Sequence, residues 1–302
     1  MTNRELYNQI KAVCSGVELR ENEPLSAHTS FRIGGPAALM AFPKTAQELA
    51  RLLACAKALG ISPRLLGAGT NVLCPDEGMD TLVICTKDCL CGLRLLDGGR
   101  IEAMAGETLA KTAVFARQNG LAGMEFAHGI PGTVGGGVFM NAGAYGGELK
   151  NICVRVTALL PDGTACDFTA DDAQFGYRSS VFQTNGAIIL SAVFCLQAGN
   201  PEKIAQKMRE LMQRRMASQP LDLPSAGSTF KRPQGAYAGT LIEASGLKGR
   251  GVGGAQVSQK HAGFVVNTGG ATAKDVLDTI QMVQQTVQRD SGYWLEPEVR
   301  LW

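Results

Sequence analysis

Histidine is nearly absent from this chain, and with it go most routes to metal binding and to nucleophilic catalysis. Only three histidines (His28, His128 and His261) occur in 302 residues. The nine cysteines lack paired spacing. Cys89 and Cys91 form a lone C-x-C with no second pair, which argues against a structural zinc. Dispersed and odd in number, they read as reduced, mostly buried thiols of a cytoplasmic protein. There is no G-x-S-x-G elbow, and neither His128 nor His261 has an identifiable acidic orienter, so a hydrolase has little support. Dense Lys/Arg runs and aromatic stacking motifs are missing too, and the net charge is only +2, which disfavours nucleic acid. The longest apolar run, Ala187 to Leu196, is too short to span a bilayer and contains Ser191. Residues 1–24 carry Arg4, Glu5, Lys11, Glu18 and Glu21 and no apolar core, unlike a secretory signal. The expectation is a cytoplasmic protein without membrane insertion, long enough for two or three domains.

Glycine, by contrast, is abundant and organised. From Gly129 to Gly147 eight of nineteen residues are glycine, but Ile130, Val134, Val138, Phe139 and Met140 interrupt them and want burial. A flexible linker would be polar and featureless. The pattern predicts ordered backbone brought close to a large ligand, because glycine permits positive φ and removes the Cβ. Successive free N–H groups in such a turn bind anions. Two smaller loops accompany it, Ser30 to Pro36 and Leu66 to Leu73. The latter holds Gly67-Ala-Gly-Thr-Asn71 at a strand end, suited to a pyrophosphate. The one formal dinucleotide fingerprint, Gly249 to Gly254, follows a helix rather than a strand, and no proper helix succeeds it. A Rossmann site is therefore rejected.

Secondary structure reads as a mixture. Thr45 and Glu48 form a capping box for a helix ending near Gly60, and short strands are expected at 63–66, 81–85 and 101–105. Residues 108–119 read as a helix stopped by Gly120. Strands 154–160 and 164–168 flank the hairpin signal Pro161-Asp-Gly163, and 187–196 joins the same sheet. Helices follow at 202–217, around 235–245 and from Thr272, the last capped by Thr272 with Asp275 and burying Val276, Ile280, Val283 and Val287. A strand at 263–267 and an alternating strand at 294–302 complete the chain. Without strict βαβ alternation this is an α+β fold, with the main boundary near residue 200.

Three short sites far apart remain. Arg178 stands among aromatics in Phe175 to Phe182, where an Arg clamps a carboxylate or stabilises developing negative charge. The bland alternative is a surface Arg packed on Tyr177. Ser228 follows a glycine, with Lys231 and Arg232 close by; it is either a turn residue or a proton donor beside a phosphate-binding pair. Glu298 lies in an alternating segment, where charged residues ordinarily face solvent.

Taken together, these motifs resemble the UDP-N-acetylenolpyruvoylglucosamine reductase (MurB) family over nearly the whole chain. The resemblance rests on Thr29 to Gly35, Leu66 to Asn71, Gly129 to Gly136, Met140 to Gly146, Tyr177 to Ser180, Ala226 to Lys231, Val257 to Ala262 and Leu295 to Arg300. It implies a two-part FAD-binding region of the vanillyl-alcohol-oxidase type, at 1–90 and 91–200, and an α+β substrate domain at 201–302. FAD is then bound non-covalently through Arg32, Gly34, Gly67, Ala68, Gly69, Thr70, Asn71, Gly132, Thr133, Gly135, Gly136, Asn141, Ala142 and Gly143. The implied reaction uses NADPH to reduce the flavin. UDP-N-acetylglucosamine-enolpyruvate then accepts hydride from N5 at C3 and a proton at C2. Arg178 matches the family residue that stabilises the enolate, Glu298 the carboxylate working with it, and Ser228 the proton donor. To donate a hydrogen bond Glu298 needs to be protonated, which a dry pocket favours. Tyr177, Lys231, Arg232, Gln256 and Lys260 are candidates for the UDP-sugar. The short segment between Arg178 and Ser228 matches the smaller subtype, which lacks a tyrosine-bearing loop, and Arg232 stands where larger members carry Asn. A monomer is expected. The competing readings are an FAD-dependent oxidase or dehydrogenase of the same fold, and a catalytically silent nucleotide-sugar-binding protein.

Overall fold

The computed structural model describes Thr2 to Trp302 and has the mixed, non-alternating element order of an α+β protein. Its residues fall into two compact units. The first takes the chain up to Glu21, then Leu39–Ala68 and Thr81–Arg215; the second takes Asn22–Ala38, Gly69–Asp80 and Met216–Trp302.

Two apolar clusters build the first unit. One gathers Leu6, Ile10, Leu39, Leu49, Leu52, Leu82 and Ile84, contributed in part by helices α1 (Asn3–Val13) and α2 (Ala46–Ala58). A full capping box of Thr2 and Glu5 starts α1. At α2 the expected box is only half formed. The Thr45 hydroxyl accepts from Glu48 N at 3.1 Å, but the Glu48 carboxylate takes Lys44 N at 2.6 Å instead of returning to Thr45. Either way an N–H near the helix start gains an acceptor. Strand Arg64–Leu66 runs parallel to Met79–Cys85, with Leu66 opposite Cys85.

The second cluster is centred on a five-stranded antiparallel sheet. Its order is Ala165–Thr169, Cys153–Leu159, Ile188–Cys195, Arg100–Met104 and Leu93–Leu96. The hairpin at Pro161-Asp-Gly163 forms as its residues dictate: Leu160 N donates to Thr164 O at 2.8 Å, and Gly163 takes φ +88°. Helix α3 (Leu109–Gln118) is capped by Thr108 and ends before Gly120 at φ +64°.

Within the glycine-rich run lies an element that the sequence reading passed over. Val134–Phe139 is a short helix, α4, with three glycines in its middle. Glycine disfavours helix by about 1 kcal/mol per residue relative to alanine, so packing must decide. Thr133 caps the helix, and Val134, Gly137 and Val138 are buried. A Cβ on Gly137 would stand 3.0 Å from both Leu109 Cδ1 and Leu149 Cδ1. None of Gly135, Gly136 and Gly137 has positive φ. Close approach accounts for Gly137, not backbone freedom. Helix α5 (Pro201–Ser218) then buries Ile204, Met208 and Leu211.

The second unit packs α6 (Ala238–Ala244) and α7 (Ala273–Ser291) around Phe31, Ile33, Phe230, Val265 and Leu295. Helix α7 carries the expected Thr272–Asp275 box and buries Val276, Ile280, Val283 and Val287. The rejected fingerprint is a hairpin: Val252 pairs with Ala255 across Gly253 and Gly254, in a sheet with Val265–Asn267. The C-terminal strand is shorter than expected. Only Arg300–Leu301 pairs as a strand, parallel to Val72–Leu73, with an isolated bridge at Pro297. Pro297 lacks the N–H a continuous ladder needs.

Candidate active site

In the first unit Gly67 and Ala68 follow directly on a strand, and Gly132 and Thr133 lead directly into α4. The two turns touch. A Cβ on Gly67 would lie 2.6 Å from the Thr133 hydroxyl. The N–H groups further into the helix are already paired: Val134 N with Glu107 O, Gly135 N with Ala105 O, and Gly136 N with the Thr133 hydroxyl. The N–H groups of Gly67, Ala68, Gly132 and Thr133 have no acceptor among the described residues. Free donors on touching, side-chain-poor turns suit the phosphates of a dinucleotide. The residues fit the expected flavin.

Arg178 is presented by a tight turn. Gly176 and Ser179 bridge, with Gly176 N donating to Ser179 O at 3.1 Å, and Arg178 sits at φ +54°. An arginine in the left-handed region costs on the order of 1 kcal/mol or more and persists only where its surroundings fix it. Those surroundings are specific. Arg178 Nη2 donates to Gly143 O at 3.2 Å, and its carbonyl accepts from Gln183 Nε2 at 3.0 Å. Gln183 Nε2 and the Ser180 hydroxyl both reach Phe139 O, at 3.0 and 2.8 Å. The turn is thereby tied to the end of α4. Tyr177 lies beside the guanidinium, 5.2 Å from ring centroid to Cζ, and is itself half exposed.

Asn141, expected among the cofactor residues, has its side chain directed into the protein. Fully buried, it donates to Gly176 O at 2.8 Å and Glu148 Oε2 at 2.9 Å, and accepts from Lys150 N at 2.9 Å. Any part it plays toward a ligand therefore runs through its main chain or through the Arg178 turn. Asn141→Ala removes all three hydrogen bonds of a fully buried amide, whose partners are themselves only partly buried or exposed, and should cost about 1–3 kcal/mol, read as a lower midpoint in urea unfolding.

The second unit holds Ser228 and Glu298. The segment from Pro224 to Lys231 is held from both sides. Ser225 bridges Val266, Thr229 N donates to Gly263 O, and the Thr229 hydroxyl accepts from Val265 N at 2.8 Å. On the other side Phe230 bridges Pro297, Lys231 N donates to Glu296 O, and Glu298 N donates to Thr229 O, both at 2.8 Å. This antiparallel register brings the backbone of Glu298 against that of Thr229, the residue after Ser228. Gly227 at φ +76° turns the chain just before Ser228, which is exposed. Asn71 braces the partner segment: its Nδ2 donates to Glu298 O at 3.2 Å and its carbonyl accepts from Arg300 N at 3.0 Å. Ser30 links the small loops, donating from N to Gly69 O and from its hydroxyl to Ser225 O at 2.6 Å. Arg32 stands at φ +57°, and a Cβ on Gly34 would meet Cys74 Cβ at 2.7 Å.

The candidate sugar-binding residues of this unit are paired with protein groups. Lys231 bridges Glu296 at 2.5 Å, Lys260 donates to Met216 O, and Gln256 donates to Gly249 O at 3.0 Å. Arg232 stacks 4.0 Å over the Tyr237 ring. His128 Nδ1 is buried with no partner, and His261 Nδ1 accepts from Gly263 N. Burial pushes the His261 imidazole below its ordinary range. Neither forms an oriented acid–base couple. All nine cysteines are free, and burial pushes Cys74 and Cys153 up to about 12, so these are inert thiols. Among the described residues no group of His, Cys, Asp and Glu could hold a metal, and no helix is long and apolar enough to cross a membrane.

Residues 37–169 match the model of an FAD binding domain, and residues 219–302 match the C-terminal domain of UDP-N-acetylenolpyruvoylglucosamine reductase. The reductase of that name from Streptococcus pyogenes serotype M18 is 46% identical over 286 residues, covering 95% of this chain and 96% of that one. The one from Lachnoclostridium phytofermentans is 43% identical, covering 99% and 97%. The crystal structure of the Thermus caldophilus reductase superposes with a TM-score of 0.77 at 34% identity, covering 95% of this chain and 98% of that one. The chain belongs to the UDP-N-acetylenolpyruvoylglucosamine reductase (MurB) family of FAD-dependent oxidoreductases.

Proposed function

We propose that this protein reduces UDP-N-acetylglucosamine-enolpyruvate to UDP-N-acetylmuramate in the synthesis of peptidoglycan precursors, with Arg178, Ser228 and Glu298 as its catalytic residues. The observation that carries the residue assignment is the strained Arg178 turn, fixed by main-chain and side-chain hydrogen bonds in a position a surface arginine does not need. FAD, when bound, would supply the two-electron chemistry that links NADPH oxidation to reduction of the enolpyruvyl group at C3. Gly67, Ala68, Gly132 and Thr133 offer main-chain donors to its phosphates, while Gly143 and Asn141 belong to the segment that supports Arg178.

Hydride arriving at C3 leaves an electron pair at C2, delocalised into the adjacent carboxylate as an enolate. Arg178 meets that charge with a planar fork of donors whose position is set before the reaction. Glu298, in its protonated form, donates to the same enolate. The Ser228 hydroxyl gives C2 its proton; a serine is a weak acid, and only a strongly basic acceptor such as this enolate makes the transfer favourable. Residues 1–90 and 91–200 serve FAD and 201–302 the UDP-sugar, in a cytoplasmic monomer. Lys231, Arg232, Gln256 and Lys260 contact the UDP-sugar after exchanging their present partners.

The test is direct. The purified protein should show a flavin spectrum, bleach with NADPH, and regain its colour on adding UDP-N-acetylglucosamine-enolpyruvate. A colourless protein, or reduced flavin indifferent to that substrate, defeats the reading. Fast reoxidation by oxygen alone would point to an oxidase of the same fold.

A further inference from the structure

Ser228 sits on a short arch of the second unit. At its first foot Ser225 bridges Val266, and beside it Asn267 N donates to Pro224 O at 2.8 Å. At its second foot Thr229 N donates to Gly263 O at 2.8 Å, and the Thr229 hydroxyl accepts from Val265 N. Between the feet Ala226 is buried, and Gly227 at φ +76° turns the chain so that Ser228 is exposed. The Ser228 side chain makes no hydrogen bond among the described residues. Its direction is therefore set by the main chain of the arch. An arch with a glycine in its span and one foot on a single bridged pair is loose.

That first foot has a further support. The Ser30 hydroxyl donates to Ser225 O at 2.6 Å, and Ser30 N donates to Gly69 O at 3.0 Å. Gly69 O lies farther from the hydroxyl, at 3.3 Å, so its single proton favours Ser225. One residue thus joins the arch to the glycine turn. Ser30 is itself held firmly. Just before it, the buried Thr29 hydroxyl donates to Ile33 O at 3.0 Å. Just after it, Phe31 is 1% exposed, and its carbonyl accepts from Asn267 Nδ2 at 3.1 Å. Asn267 also meets Pro224 through its N–H, so the Ser30 turn and the arch foot share an anchor. On the other side a Cβ on Gly69, at φ +62°, would stand 2.9 Å from Thr29 Cα.

We propose that Ser30 is a positioning residue for the reduction: by tying Ser225 O to the Gly69 turn it fixes the arch that presents the Ser228 hydroxyl to C2. This rests on the reading of Ser228 as proton donor and deepens it. Delivery of a proton depends steeply on placement, and a displacement of about 1 Å costs on the order of 10²-fold. Ser30 acts through Ser228 and not on the enolate.

Ser30→Ala removes the bond, and Ser30→Thr keeps the hydroxyl. The two half-reactions are followed separately by stopped-flow absorbance, and urea unfolding confirms that each variant is folded. We expect Ser30→Ala to slow reoxidation of the reduced flavin by the enolpyruvyl substrate by about 10-fold. Reduction by NADPH and the substrate Kd should stay within about 2-fold of wild type. Ser30→Thr should reoxidise within about 3-fold of wild type. The double variant separates aiming from bracing. A Ser228→Ala enzyme has no hydroxyl left to aim, so adding Ser30→Ala should slow it by less than about 2-fold further. A merely structural brace would slow the Ser228→Ala enzyme as much as the wild type. That result, equal slowing of both half-reactions, or a Ser30→Ala enzyme reoxidised within about 2-fold of wild type overturns the proposal. Should Ser30→Ala not fold, Ser30→Cys, of similar size but a weak donor, decides by the same measures. A Ser228→Ala enzyme at wild-type speed overturns the proton-donor reading and this proposal with it. A slow Ser228→Ala enzyme beside a fast Ser30→Ala enzyme overturns this proposal alone.

Discussion

Arg178→Ala should slow reoxidation of the reduced flavin by the enolpyruvyl substrate by about 10³-fold, close to 4 kcal/mol of barrier. Reduction of the flavin by NADPH should be left within a few-fold of wild type. The asymmetry follows from where charge develops. Only the second half-reaction places an electron pair at C2 and spreads it into a carboxylate, so only there does a fixed cation lower the barrier rather than merely hold a ligand. The residue's own conformation argues that position matters. Holding an arginine at φ +54° is unfavourable, and the turn is kept so by Gln183 on its carbonyl and by Gly143 on its guanidinium. Arg178→Lys should recover less than about one-tenth of the lost rate, because an ammonium is a point donor on a flexible stem of shorter reach and loses the fork. Stopped-flow absorbance of the two half-reactions, recorded separately, checks this. Equal slowing of both would mean that Arg178 acts on the cofactor or on the fold, not on the enolate.

The parts of the fold written in local chemistry were legible in the residues. The Thr272–Asp275 box, the Pro161-Asp-Gly163 hairpin and the apolar strand at 187–196 each carry their own signal within a few positions, and each forms. What local chemistry opposes could not be read. Helix α4 runs through Gly135, Gly136 and Gly137, against propensity, because Thr133 caps it and Leu109 and Leu149 close on Gly137. The C-terminal segment alternates like a strand, but Pro297 interrupts its ladder and Trp294 is 53% exposed.

The candidate site divides in the same way. The glycine turns, Arg178 and Ser228 stood in recognisable motifs. The direction of the Asn141 amide, by contrast, depends on Glu148, Lys150 and Gly176.

Ser228→Ala should separate catalysis from stability most cleanly. The hydroxyl is exposed and has no hydrogen-bond partner among the described residues, and the open turn at Gly227 leaves room beside it. Its removal should change unfolding free energy by less than about 0.5 kcal/mol. The segment itself is fixed by Thr229 and Phe230, whose contacts with Gly263, Val265 and Glu298 the substitution leaves alone. Activity should respond otherwise. Without a donor at C2 the enolate returns its hydride more often than it is trapped, and product formation should fall by about 10²–10⁴-fold. Binding of the substrate, followed by the flavin spectrum, should be nearly unchanged. Ser228→Cys is the informative companion, since a thiol of ordinary pKa about 8.5 is a far better acid than a serine hydroxyl. It should restore a measurable part of the rate, with the proton delivered at C2 to the same face. Product formed in deuterated water by the Cys variant should therefore carry deuterium at C2 with wild-type stereochemistry. A Ser228→Ala enzyme at full speed, or a Cys variant giving both epimers, would place the proton donor elsewhere.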